Sequence, residues 1–379
     1  MILRRALYCG SAWLMAAGCL GLLGACSSGS PKLKPAELPP PAKLMAPQLI
    51  WSTQMGPSTL PLAPAAFQGR IYLSGGSGVV AVLDATSGKD VWRLNLGVPL
   101  ATGPGTDGLV TAVVTLDNQL VAIHDGKEIW RATLPAASYT APLVAGHRVF
   151  VLTADRKVLA FDGEKGSRLW AQSRAGEPLV LRQSGVLLAV GDTLVVGLSG
   201  RLVGLNPDNG SARWEVPVAS SRGTNEVERL VDLVGPVSRL DNTVCTRAYG
   251  SAVACVDAAA GRSLWNKSAK GMVGVHGDAE LIIGAESDGR LVAWRRSSGE
   301  KAWELDRLRY RGLSAPLSLQ RLFVVGDDSG QVHLLSTSDG SELTRLTTDG
   351  SAIQAPPVLS GPALVVQTSK GGVFAWRSQ

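Results

Sequence analysis

The chain has 379 residues, with 37 Lys and Arg against 31 Asp and Glu, a net charge of +6 and 45% hydrophobic residues. The positive excess is spread along the chain without a basic block, which argues against nucleic acid as a partner. The length suits one large repetitive domain or two ordinary ones, so composition alone does not decide the architecture.

At the N-terminus, Arg4 and Arg5 precede an apolar run over residues 12–23, and Leu23-Gly24-Ala25-Cys26 follows. This is the layout of a secretory signal, so residues 1–25 are set apart from the fold. The run is short for a spanning helix, which needs roughly 20 residues. The residues around Cys26 resemble the lipobox of bacterial lipoproteins. That resemblance implies that Cys26 is acylated and becomes the mature N-terminus. Ser27 in place of Asp implies sorting to the outer membrane, with the chain facing the periplasm. The residues themselves leave open an ordinary signal with an incidental Cys, or an uncleaved anchor helix. Residues 26–47, rich in Pro, Ala, Ser and Lys, read as a flexible tether.

From residue 48 onward the sequence repeats. Gly88, Gly126, Gly166, Gly210, Gly261 and Gly299 each stand four residues before Trp92, Trp130, Trp170, Trp214, Trp265 and Trp303. A seventh copy keeps Gly340 but carries Thr344 in the Trp slot, and Trp51 fills an eighth slot near the mature start. The spacing is that of propeller blades, about 40–45 residues. Each period adds an apolar run, a Gly-bearing turn and a second run, such as Leu202 to Leu205, that alternates with period two. Short strands with Gly turns predict an all-β fold. Asp84, Asp162, Asp257 and Asn206 recur at strand ends, where turn hydrogen bonding is their expected work. Pro104, Pro142, Pro316 and Pro357 precede the first run of their periods, where a missing donor is tolerated. The last copy stops before its own Gly-x-x-x-Trp, whereas Trp51 has that strand alone. The two ends therefore complete one blade, predicting an eight-bladed β-propeller over residues 48–379, closed by N- and C-terminal strands. The recurring Trp is read as packing between blades.

Cys9, Cys19 and Cys26 fall in the signal region, leaving Cys245 and Cys255 to the fold. In TVCTRAYGSAVACVD the two lie equidistant from Gly250 on two strands of a hairpin. A structural disulfide in an oxidising compartment is expected, against two free buried thiols. No redox or metal spacing accompanies them.

The period resembles the repeat of pyrroloquinoline-quinone-type propellers over nearly all of residues 48–379. That family includes quinoprotein dehydrogenases, and also lipoprotein subunits of the machinery that inserts β-barrels into the bacterial outer membrane. The lipobox, the size and the eight slots without an added domain bring this chain nearest the second group. The resemblance implies a non-enzymatic scaffold that docks a periplasmic POTRA domain of the barrel-inserting protein, with unfolded outer-membrane clients as further partners. The family's Leu-x-Leu-Arg pattern falls on Leu179, Leu181 and Arg182, and its acidic pattern on Glu226, Glu228, Arg229, Leu230 and Asp232. Val234 stands where a further acidic residue is expected, which weakens the acidic contribution. Both stretches follow Trp strands of successive blades, and alternating strand direction brings their loops out on one face. Taken as residues alone, Leu179 and Leu181 read equally as docking anchors or as the start of an inner strand.

Catalytic constellations are not legible. His124, His147, His276 and His333 sit in different periods without partners at metal-ligand spacing, so neither metal nor cofactor is expected. The alternative readings are a quinoprotein dehydrogenase, which would need carboxylates holding a cation beneath the quinone, and a small-ligand-binding propeller using its channel. Against the first, the chain is short and has no neighbouring Cys pair.

Overall fold

The computed structural model describes residues 33–174, 180–220 and 230–377. The chain divides into Met1–Pro35 and Ala36–Gln379. Of the first unit, residues 33–35 are described and are irregular. In the second unit the described residues form 32 strands and no helix, sorted into eight four-stranded antiparallel sheets.

Seven sheets are built from consecutive strands, as in blade 1 with Ala65–Phe67, Arg70–Ser74, Val79–Asp84 and Asp90–Asn95. Blades 2 to 7 span residues 105–133, 143–173, 187–217, 233–268, 275–305 and 317–347. The eighth takes Val358–Ser360, Ala363–Gln367 and Gly372–Arg377 from the C-terminus and Gln48–Gln54 from the start. Gln48 opposes Arg377 and Gln54 opposes Gly372, so the closure expected from the two incomplete copies is the one found. The first strands of neighbouring blades touch and line the axis of an eight-bladed ring. Pro142, Pro316 and Pro357 directly precede such first strands, whose outer partner alone needs their backbone donors.

The second and third strands are buried on both faces. Ile71 to Ser74 and Val80 to Leu83 are all enclosed, because another blade lies over each side. The period-two alternation read at Leu202 to Leu205 therefore does not divide core from solvent, since Leu202, Val203 and Leu205 are all buried. True alternation appears only in the outermost strands, such as Asp90–Asn95 and Arg168–Ser173.

The Gly-x-x-x-Trp ending is split between two junctions. Each Trp lies against the glycine of the following blade, so Trp51 meets Gly88, Trp130 meets Gly166 and Trp214 meets Gly261. A Cβ at those glycines would lie 2.5, 2.6 and 2.5 Å from the ring. The seven glycines also hold φ between +63° and +74°, a region that favours glycine. The indole N–H then donates into the same turn, from Trp51 to Ala85 O at 2.9 Å, Trp130 to Gly163 O at 2.8 Å and Trp170 to Pro207 O at 2.9 Å. Asp84 and Asp162 shape these turns as expected, with Oδ1 accepting from Ser87 N at 2.8 Å and from Lys165 N at 2.8 Å. Asp257 and Asn206 do the same for Ala260 N and Asp208 N.

Thr344 now has a physical reason. It faces blade 8, whose third and fourth strands, Gly372–Arg377 and Gln48–Gln54, are not consecutive in the chain, so no glycine turn joins them to receive a ring. Trp376 of blade 8, 4% exposed, fills that junction from the other side.

Cys245 and Cys255 oppose each other on the second and third strands of blade 5, with Cα atoms 3.9 Å apart, and are joined as a disulfide.

Gly166→Ala should cost about 1–3 kcal/mol from the left-handed backbone alone, with the Trp130 clash in addition, and Trp130→Ala about 3–5 kcal/mol, both read by urea unfolding. Thr344→Trp should lower the melting temperature, because nothing opposite can accept the ring. Replacing both Cys245 and Cys255 by Ser should cost roughly 2–3 kcal/mol for so short a loop.

Candidate partner-docking site

Strand direction alternates along each blade, so the second-to-third turns and the outer-to-inner connections between blades emerge on one face. Two of those connections, leading into blades 4 and 5, carry the motif residues. Leu179, Glu226, Glu228, Arg229 and the lipobox Cys26 lie outside the described residues. Leu181, Arg182 and Asp232 lie within them and come together.

Asp232 makes the junction. Its Oδ2 accepts from the backbone N–H of Leu181 at 2.9 Å, and its Oδ1 accepts from Arg156 Nη1 at 3.0 Å. The side chains of Arg156 and Asp232 are 9% and 16% exposed, so water screens this pair little and the carboxylate acts as a positioning group for the neighbouring loop. The backbone of the same loops is tied further by Gly185 N to Thr140 Oγ1 at 2.9 Å and Gly235 N to Ser184 O at 2.9 Å. Gln183 Nε2 donates to Met272 O at 2.8 Å, reaching the connection into blade 6.

Leu181 is half-buried and precedes the inner strand Leu187–Val190, so it is not part of that strand. Arg182 is exposed, its guanidinium 5.9 Å from the Tyr139 ring centre. Met272 adds an apolar side chain 44% exposed. Val234, at the position of the missing acid, is buried in the first strand of blade 5. The arrangement offers a cation on an aromatic shelf beside apolar side chains, on loops held from below by a buried charge pair.

Arg156 was not singled out by its sequence. It occupies the last place of the second-to-third turn in blade 3, closed by Thr153 N to Lys157 O and Arg156 N to Thr153 O. The same bond pattern in blades 1, 6, 7 and 8 puts Gly78, Gly289, Gly330 and Gly371 there, all at positive φ. Arg156 holds φ +60° without being glycine. A long charged residue in a glycine slot was the available signal.

Two further buried charges brace this face. Arg247, fully enclosed, reaches Glu286 Oε1 at 3.0 Å and Ala285 O at 3.1 Å, while Glu286 accepts from Lys270 N in the connection into blade 6. Burial pulls the Arg247 guanidinium below its ordinary value, and Glu286 opposes that. Asp327 takes Arg311 Nε at 2.7 Å and His333 Nε2 at 3.1 Å. Burial pushes its carboxyl up, but the bonds from His333, Gln331 N–H and Arg311 outweigh that and hold it well below the carboxylate range. His276 is pulled down by burial and by Arg296, and its Nδ1 accepts from Ser318 N at 3.0 Å.

The axial cavity opens on the same face, lined by Ala63, Leu187, Val237, Val273 and Ala315 with Gln183 and Gln354, and no carboxylate lines it among the described residues. This donor set does not fit a cation-bound quinone. No group of three or more His, Cys, Asp and Glu that could hold a metal ion occurs among the described residues.

The fold and this face define an eight-bladed propeller of the pyrroloquinoline-quinone-repeat class. A sequence profile described as outer membrane protein assembly factor BamB matches residues 49–305, and the chain belongs to that family. It is 34% identical to the outer membrane protein assembly factor BamB of Burkholderia pseudomallei over 87% of this chain and 88% of that one. With the protein of the same description from Bordetella pertussis the identity is 34%, covering 97% and 98% of the two chains. The crystal structure of BamB from Moraxella catarrhalis superposes with a TM-score of 0.80 at 25% identity, covering 88% of this chain and all of that one. Quinohemoprotein alcohol dehydrogenase from Comamonas testosteroni shares the fold at 13% identity, with a TM-score of 0.68 over 88% of this chain and 77% of that one.

Asp232→Ala should leave Arg156 without this carboxylate and release Leu181 N–H, costing about 3 kcal/mol, whereas Asp232→Asn should cost less because it keeps an acceptor. Equal melting temperatures for wild type and Asp232→Ala would remove the positioning role.

Proposed function

We propose that this chain is a non-enzymatic lipoprotein scaffold of the outer-membrane β-barrel assembly machinery. In this reading it docks a periplasmic POTRA domain of the barrel-inserting protein on the face around Leu181 and Arg182. The observation that carries the proposal is the single carboxylate, Asp232, holding the two motif-bearing loops side by side in a member of the BamB family. A loop fixed before binding loses little entropy on binding. Apolar side chains around an exposed arginine supply the kind of centre on which binding energy concentrates.

Leu179, Glu226, Glu228 and Arg229 complete the surface in this proposal. The acylated Cys26 anchors the chain to the outer membrane, and the ring faces the periplasm and aids delivery of unfolded barrel proteins. Asp232 contributes by holding Leu181 and Arg156, and its carboxylate is not itself the contact offered to the partner.

The test replaces Leu179, Leu181 and Arg182 together by Ala in the full chain and captures the barrel-inserting protein from detergent-solubilised envelopes. Capture should fall at least tenfold while the circular-dichroism melt stays within about 2 °C of wild type, as for surface changes of under ~0.5 kcal/mol. Undiminished capture would overturn the docking surface, and a melt that collapses together with capture would assign these side chains to the fold instead.

A further inference from the structure

The strand that closes the ring is also the first strand after the N-terminal segment. Any pull on the N-terminus would reach Gln48 first, and Gln48 sits at the end of the pairing with Gly372–Arg377. A strand pulled from its end parts from its neighbour one bond at a time, which is the weakest way to load a sheet. A chain tethered by its N-terminus and closed by its N-terminal strand therefore has a mechanical problem.

Residues 36–44 address it. They run along the outer edge of blade 7, antiparallel to its outermost strand Glu342–Thr347, and over this stretch the segment read as a free tether is bound to the ring. Ala36 is held by both backbone groups, donating to Arg309 O at 2.9 Å and accepting from Arg311 Nη1 at 2.8 Å. Leu38 packs against the cluster between blades 6 and 7 that contains Leu308, Leu313 and Phe323. Arg345 donates to Pro39 O at 2.5 Å, Ala42 N donates to Glu342 Oε1 at 3.3 Å, and Leu44 N to Leu343 O at 3.0 Å. Pro39, Pro40 and Pro41 stiffen the segment and have no N–H to leave unpaired. Arg311 is itself fixed in blade 7, through Asp327 at 2.7 Å, and Asp327 is fully enclosed with His333.

We propose that residues 36–44 are a clasp that takes load arriving through the N-terminus into blade 7 before it reaches the ring-closing strand Gln48–Gln54. The clasp lies where the ring needs it, at the edge of the one blade whose outermost strand has Thr344 instead of Trp. The source of the load rests on the proposed anchoring at Cys26, whereas the clasp itself rests on the contacts above.

The test pulls single molecules of the mature, unacylated chain between the Cys26 thiol and a C-terminal handle. Wild type should stay closed until the clasp releases, and its ring should open in that same event because the load then exceeds what Gln48–Gln54 can bear. Ala36→Pro with Leu44→Pro removes two clasp donors and leaves the ring's own strand pairing in place, and should open at lower force from a starting length greater by up to about 30 Å, the contour of the clasp. Hydrogen exchange on the same variant should be at least tenfold faster in Gln48–Gln54 and unchanged in blades 2 to 4. Release of the clasp in wild type at a force below that of ring opening, equal ring-opening forces for the two chains, or exchange that rises uniformly in all blades would each overturn the clasp. Acylation is read separately, from the mass of the membrane-extracted chain. An unacylated Cys26 would remove the anchoring proposal and leave the pulling result standing.

Discussion

The structure depends on one contact made seven times, a tryptophan of one blade lying on a glycine of the next. The glycine is required twice over, by a positive φ and by the ring that occupies the space of a Cβ. The tryptophan contributes a large apolar area, about 150–250 Å², and at five of the seven junctions an indole N–H that satisfies a turn carbonyl. The two halves of the repeated motif never meet within their own blade. What the repeat records is therefore the junction between blades, and its count is the count of junctions that a continuous chain can make.

This explains why so much of the fold is legible. Blade number, the closing pair and the turn role of Asp84, Asp162, Asp257 and Asn206 all follow from position within a repeat, and repeats expose their rules by comparison with themselves. Alternation at Leu202 to Leu205 misleads for the opposite reason. A strand covered on both faces has no solvent side for a period of two to report, and its pattern reflects side-chain size. The junction of the two loops was legible where a motif marked it, at Leu181, Arg182 and Asp232, which the structure brings together. Arg156 was not, because it lies inside a turn that recurs from blade to blade. It becomes visible only when the turn is aligned with its counterparts and a glycine is found to be missing.

The outer-to-inner face is held differently from the blades. Ladder hydrogen bonds fix strands but do nothing for the long connections between sheets, which must find other partners for their backbone groups. Here buried or half-buried carboxylates serve, with Asp232 holding Leu181 N, Glu286 holding Lys270 N and Asp327 holding the Arg311 guanidinium. Each also meets an arginine, namely Arg156, Arg247 and Arg311. Charge-assisted bonds of this kind are geometrically specific, and pairing keeps the buried charge affordable. These charge pairs hold the loops of this face where ladder bonds cannot reach.

The same logic reaches the break in the chain. A ring assembled from identical junctions has one site where the two ends meet, and there the repeated contact cannot form because the turn that would carry its glycine is absent. Thr344 and Trp376 mark the local solution, a small residue on one side and a large one on the other. Residues 36–44 mark the longer-range one, bonded along the blade 7 edge beside that junction and leading directly into the strand that completes blade 8. Arg311 connects the two kinds of bracing, because one guanidinium holds both the buried Asp327 of the loop face and the carbonyl of Ala36. The residue that fixes a connection between blades thus also fixes the segment through which the chain enters the ring.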